Sequence, residues 1–171
     1  ARLLHAADPH RQISAIVLAE PKKTSDAGVN LAALRAMAKE SPGWLSITTE
    51  LTDKTPSASL IVDAMFGSGL TRPLEGAFAD AVEWISRERA TGCSVLAVDV
   101  PSGLDCDTGL PVGGESPTVR ADHTLTLGGV KRGILLAASS EWTGSVSAGD
   151  LGLPRWLLER FGEAIEEVDQ G

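Results

Sequence analysis

The chain has 171 residues, 43% of them hydrophobic, which is the size and apolar content of one domain around a single substantial core. Lys and Arg number 15 against 23 Asp and Glu, a formal charge of -8 with no basic run, so neither a nucleic-acid duplex nor an anionic membrane suits it as main partner. The longest apolar stretches, such as "GILLAA", are far too short to span a bilayer, no signal segment opens the chain, and the expected compartment is the cytoplasm.

In chain order, "ARLLHAADPH" reads as the end of an amphipathic helix without its cap or first turn, which suggests that the chain is truncated upstream. "ISAIVLAE" reads as a buried strand. In "SDAGVNLAALRAMAKES", Ser25 or Asp26 is the candidate N-cap of a helix that carries Leu31, Leu34 and Ala38 on one face and stops at Pro42 and Gly43. "LSITTEL" and "SLIVDAMFGSGL" are strand candidates, the second running straight into a glycine loop. The intervening "TDKTPSAS" is too short for a parallel crossover helix, so their mutual arrangement stays open. "LEGAFADAVEWISRERATG" predicts a helix with Phe78, Val82 and Ile85 at helical spacing and Gly92 just past its end. Three further strands are expected in "CSVLAVDVPSG", "DHTLTLGG" and "GSVSAGDLGLP". "RWLLERFGEAIEEV" then closes the chain as a helix with Leu157, Phe161, Ile165 and Val168 on one side. Apolar strands alternating with amphipathic helices predict an α/β fold, a three-layer α/β/α sandwich on a mostly parallel, Rossmann-like sheet.

In such sheets ligands bind beyond the carboxyl ends of the strands. "LIVD" ends in Asp63 and "LAVD" in Asp99, two acids at matching places on two core strands. A carboxylate there loses hydration, which a cation, hydrogen-bond donors or protonation must offset. Each acid alone suits the capping of a following turn; the pair, each followed by a small-residue loop, points to a ligand site. After Asp63, Gly67 and Gly69 in "AMFGSGLTRP" let backbone N–H groups approach an anion, with Arg72 at hand for a phosphate. After Asp99, Pro101 and Gly103 sharpen a turn that presents Ser102, with Asp105 and Asp107 on its rim, an oxygen-rich edge suited to a hard cation.

A serine nucleophile does not fit, because PSG is not the GxSxG elbow and His123, the downstream histidine, reads as a surface residue. His5 and His10 lie in the ragged first segment and read as non-catalytic. Cys93 and Cys106 fit neither a disulfide framework nor a metal-ligand spacing. A dehydrogenase would need a GxGxxG after the first strand, which the chain does not supply.

"VDAMFGSGLTRPLEG", "AVDVPSGLDCDTG", "RADHTLTLGGVKRGILL" and "GDLGLP", in this order and spacing, resemble the NAD(P)H-hydrate epimerase family, also called the YjeF N-terminal domain. The resemblance covers nearly the whole chain, and "NLAALRAMA" fits the helix after that family's second strand. It implies a single domain over residues 1–171, a homodimer, one potassium ion per subunit, and interconversion of the R and S epimers of hydrated NADH and NADPH (NADHX and NADPHX). A partner dehydratase that accepts the S form then restores the cofactor.

Residue by residue, the resemblance makes Asp63 and Ser102 potassium ligands. It places Gly67, Ser68, Gly69, Leu70, Thr71, Arg72 and Pro73 along the nucleotide, and Asp99 against the substrate. Lys131 in "GGVKRG" matches a family lysine, although Arg132 after it departs from the family's pattern. The family's upstream GNNGGDG segment, which supplies a further potassium ligand and much of the phosphate cradle, has no counterpart here. For the chemistry, Asp99 is the expected acid and charge stabiliser, with Asp105 in reserve. The competing expectation is a non-catalytic scaffold or binding domain of the same fold.

Overall fold

A computed structural model describes residues 1–52 and 55–162. Ala1–Pro56 and Ser57–Gly171 form two compact units. The fold class is α/β, with parallel strands and flanking helices in a Rossmann-like sandwich.

The first unit holds α1 (Arg2–Ala7), β1 (Ile13–Ile16), α2 (Asp26–Glu40) and β2 (Leu45–Thr48). Ser25 is the cap of α2: its backbone is extended and its Oγ accepts from the Gly28 amide at 3.1 Å, one of the donors that a helix start leaves without a partner. Leu31 and Leu34 are buried under α2, and Ala38 is half-buried. β1 pairs with β2 in parallel, Ile13 opposite Leu45. The buried strand expected in "ISAIVLAE" is half-buried instead. Its Ser14 is exposed and accepts from Ser46 Oγ at 3.0 Å, so the pair of strands turns a polar side outward. His5 belongs to the packing of this unit, 4% exposed with Nε2 2.9 Å from Ser41 Oγ. His10 meets Trp44 edge to face.

The second unit carries β3 (Leu60–Asp63), α3 (Ala77–Ala90), β4 (Ser94–Val98), β5 (His123–Leu127), α4 (Ser140–Thr143), β6 (Ser145–Gly149) and α5 (Arg155–Phe161). Its sheet is parallel throughout, in the order β3-β4-β5-β6. The arrangement left open by "TDKTPSAS" is thereby settled: β2 pairs with β1, and β3 pairs with β4. α3 is the crossover between β3 and β4. Val82 and Ile85 on its inner face pack with Ile61, Val95, Ala97, Val119 and Ala121, and Phe78 adds an edge-to-face contact with Phe66. Gly92, at φ +100°, supplies the left-handed turn that ends the helix.

On β5 the apolar-looking alternation has its polar members inside. Thr124 and Thr126 are fully buried, whereas Leu125 and Leu127 are half-buried. Thr124 Oγ1 donates to the Thr143 carbonyl at 2.7 Å, which satisfies the hydroxyl. His123, expected at the surface, is half-buried, and both its ring nitrogens lie 2.7 Å from serine hydroxyls of β6, those of Ser145 and Ser147. The ring is a cross-strand tie, for which a histidine at the start of a strand facing serines is sufficient. Leu157 on α5 is half-buried; Ile165 and Val168, expected on the same face, lie outside the described residues. Among those residues no helix is long and apolar enough to cross a membrane.

Ile85→Ala should cost about 2–5 kcal/mol, the range for truncating a buried aliphatic side chain. Urea unfolding of the variant against the parent protein checks this, and a loss below 1 kcal/mol would contradict the assignment of this residue to the core.

Candidate active site

Because all strands of the second sheet are parallel, the loops that follow β3, β4 and β5 emerge at one edge. β3 ends on Asp63 and β4 on Val98, so the backbone turns at Asp99 immediately outside the sheet.

Asp63 is 1% exposed. Its Oδ2 accepts from the Ser102 amide at 2.8 Å, and its Oδ1 from the Ser102 hydroxyl at 2.7 Å and the Met65 amide at 3.3 Å. Burial nevertheless pushes its carboxyl pKa above the ordinary value, the hydrogen bonds offsetting only part of the lost hydration. The Ser102 hydroxyl also accepts from the Phe66 amide at 3.0 Å. It is thus donor and acceptor at once between two loops, its proton committed to the Asp63 carboxyl.

Asp99 adopts φ +74°, the one left-handed backbone among the described non-glycine residues. That conformation costs on the order of 1–2 kcal/mol for a residue with a Cβ, and aspartate is among the types that tolerate it. It aims the carboxylate back over the strand ends. Oδ2 accepts from the Ser68 amide at 3.1 Å; Oδ1 accepts from the Leu127 amide at 3.4 Å and from the ammonium of Lys131. Both charged side chains are 19% exposed. Burial by itself would raise the carboxyl pKa, but the Lys131 ammonium and the Ser68 and Leu127 amides outweigh it and hold the group below the ordinary aspartate range. Asp99 is therefore a carboxylate, suited to stabilising positive charge, and carries no proton of its own to donate near neutral pH.

The glycine loop is stitched to both acids: Phe66 reaches Asp63 through the Ser102 hydroxyl, and Ser68 reaches Asp99 directly. Gly67 makes the approach possible, since a Cβ there would lie 2.6 Å from Asp99 Oδ2. Further along, Leu70 is half-buried and packs against the core. Gly69, Thr71, Arg72 and Pro73 are exposed, and Leu74 fixes the far end by donating its amide to Ser116 Oγ at 3.0 Å.

The second loop depends on Gly103 at φ +99°, where a Cβ would meet the Pro117 carbonyl oxygen at 2.2 Å. Asp105 is committed to its own turn: its Oδ1 accepts from the amides of Asp107 and Thr108 at 2.9 and 2.8 Å, and the Thr108 and Asp107 amides hold its carboxyl below the usual range. Asp107 is exposed on the rim. Cys106 lies between the two acids, half-buried, and burial with the neighbouring Asp107 and Asp105 pushes its thiol up, away from the reactive thiolate. Cys93 is buried and likewise raised, by desolvation first.

Sequence reasoning passed over Thr126 and the Leu127 peptide. Lys131 Nζ donates to Thr126 Oγ1 at 3.3 Å and to the Leu127 carbonyl at 2.7 Å in addition to Asp99. The signal available was the hydroxyl pair at alternate positions in "DHTLTLGG", polar groups on the inner side of a strand that ends at the site.

The model of the family described as YjeF-related protein N-terminus matches residues 1–133. The chain belongs to this family. Among curated relatives of this YjeF N-terminal chain, a bifunctional NAD(P)H-hydrate repair enzyme of Thermofilum pendens is 39% identical over 119 residues, 70% of this chain and 22% of that protein. An NAD(P)H-hydrate epimerase of Levilactobacillus brevis is 38% identical over 109 residues, 64% of this chain and 47% of that protein. One of Rhodopirellula baltica is 34% identical over 133 residues, 76% of this chain and 52% of that protein. The YjeF N-terminal chain thus spans about half the length of the two epimerases, and less of the bifunctional enzyme.

Two outcomes follow from the geometry. Gly67→Ala should push the loop off Asp99, seen as faster hydrogen exchange at the Ser68 amide; unchanged protection would contradict the contact. Asp99 has a lower pKa folded than unfolded, so its stabilising contribution is present above the unfolded value and lost as pH falls through the folded one. The stability gap between the parent protein and Asp99→Asn, measured by urea unfolding, should therefore be widest at neutral pH and close on acidification.

Proposed function

We propose that this chain carries the epimerase site of a nicotinamide-cofactor repair enzyme, acting on hydrated NADH and NADPH. The observation that carries the reading is the ionised Asp99, braced by Lys131 and by a glycine loop's amide at a parallel-sheet edge. Relatives that share this segment are named NAD(P)H-hydrate epimerases.

The carbon that inverts bears a hydroxyl and the ring nitrogen. Loss of the hydroxyl, driven by the nitrogen lone pair, leaves a planar iminium ion, and water returning to the other face gives the other epimer. The ion is cationic, and a carboxylate held in place beforehand stabilises it without reorganising. Asp99 is that carboxylate. The exposed stretch Gly69, Thr71, Arg72 and Pro73 serves the nucleotide, Arg72 meeting a phosphate oxygen. Asp105 shapes the second loop instead of standing in for Asp99.

Asp63 and Ser102 suit a potassium ion in donor chemistry. Asp63 is a buried carboxyl with oxygens and amides around it and no cationic side chain among its hydrogen-bond partners. A bound monovalent cation would supply the missing charge there and fix the two loops. The working form on this reading is a cytoplasmic homodimer coupled to a dehydratase that consumes one epimer; the bifunctional relative, by its name, joins repair activities in one chain.

The complete protein should interconvert the separated epimers of hydrated NADPH well above the uncatalysed rate, followed by chromatography. Asp99→Asn should lower kcat by at least ~100-fold with the fold intact, a typical loss for a positioned charged group. No acceleration by the parent protein would favour the scaffold alternative. Potassium should raise the melting temperature more than lithium does, and Asp63→Asn should abolish the difference.

A further inference from the structure

We infer that Lys131 carries the proton that this reaction moves, with Thr126 and the Leu127 carbonyl as the groups that position it. The inference rests on the epimerase reading and deepens it, since an ionised Asp99 leaves the departing hydroxyl without an acid.

Among the described residues, Lys131 is the one side chain that donates to Asp99; its other two donors there are the backbone amides of Ser68 and Leu127, which have no proton to release. The ammonium has three N–H bonds, and the structure gives each an acceptor: Asp99 Oδ1, the Leu127 carbonyl at 2.7 Å and Thr126 Oγ1 at 3.3 Å. Thr126 is fully buried and its hydroxyl donates onward to the Gly129 carbonyl at 3.3 Å, so its oxygen is turned to accept from Lys131. Leu127 serves both partners, its amide on Asp99 and its carbonyl on Lys131. One peptide therefore sets the spacing of the charged pair. The contact to Thr126 is longer than that to the Leu127 carbonyl, and it is the one a substrate hydroxyl can replace at least cost.

The charge balance favours this assignment. As the C–O bond breaks, its electron pair leaves with oxygen, the nitrogen lone pair forms the C=N bond, and the Lys131 ammonium gives its proton to the departing oxygen. Water leaves, Lys131 is a neutral amine, and the positive charge has passed to the ring. Asp99 thus faces one cation before and after the step. Had the proton come from elsewhere, an ammonium and an iminium would stand together in a partly buried site, and like charges there are costly. In the return step the planar ion presents its other face to Lys131, water adds there, and its proton goes back to the amine.

Lys131→Arg tests this in the complete protein, because arginine keeps the positive partner for Asp99 and does not release a proton in the working pH range. The expected result is a fall in kcat of about 100-fold or more with little change in KM, the usual scale for losing a general acid. Lys131→Ala should be inactive and regain activity with added ethylamine, which a purely structural lysine would not show. Thr126→Val should lower kcat with little change in KM, because the ammonium has lost an acceptor that positions it, and Thr126→Ser should restore it. A Lys131→Arg variant with normal kcat, or a folded Lys131→Ala that no amine restores, overturns the inference while leaving the epimerase reading standing. A parent protein that does not interconvert the epimers overturns that reading, and this inference with it.

Discussion

An aspartate placed just past the end of a core strand, in a backbone conformation that disfavours side chains, must be held there by what it touches. Asp99 is held by the Ser68 amide from the loop after β3, the Leu127 amide at the end of β5 and the Lys131 ammonium from the loop that follows it. Each of these loops would otherwise be free to choose its own path. The carboxylate makes three strand ends into one rigid edge, and the strain at φ +74° is the cost of aiming it there.

Asp63 does the same work by the opposite electrostatics. It is more deeply buried, it meets hydroxyl and amide donors without a cationic side chain among them, and its carboxyl is pushed up where that of Asp99 is pushed down. Two acids at matching places on neighbouring strands are thereby set apart in charge preference by their partners alone. Such separation is how a single site can use one carboxyl for cation stabilisation and the other for building the loops. The glycine loop passes from one to the other within three residues, through the amides of Phe66 and Ser68. Its glycine at position 67 is required for contact with Asp99 more than for flexibility.

Much of this edge was legible in the sequence because strand ends in parallel sheets are predictable from apolar runs, and an acid after such a run has few reasons to be there. Asp63, Asp99, Ser102 and the loop from Gly67 follow from that. The motif match at PSGLDCDTG carried the family, and the match over residues 1–133 bears it out. What was not legible depends on side-chain direction. The inward threonines of β5 look like ordinary strand residues, and His123 looked solvent-facing because the β6 serines that hold its ring are remote in sequence. Asp105 looked like a spare acid because an acid on a loop and an acid bonded to the amides two and three residues on have the same sequence. The half-buried character of β1 was missed because apolar residues alone do not say how many faces of a sheet are covered.

Asp99 is a carboxylate against its burial, kept so by Lys131 and by the Ser68 and Leu127 amides. The most direct measurement is a 13C NMR titration of the aspartate side-chain carboxyl carbons, with the Asp99 signal assigned by its loss in Asp99→Asn. The account predicts a midpoint below the ordinary aspartate range, moving upward when Lys131 is replaced by alanine. A midpoint at or above the ordinary range in the parent protein would mean that burial wins, that Asp99 is available as an acid by itself, and that the division of labour between Asp99 and Lys131 is wrong.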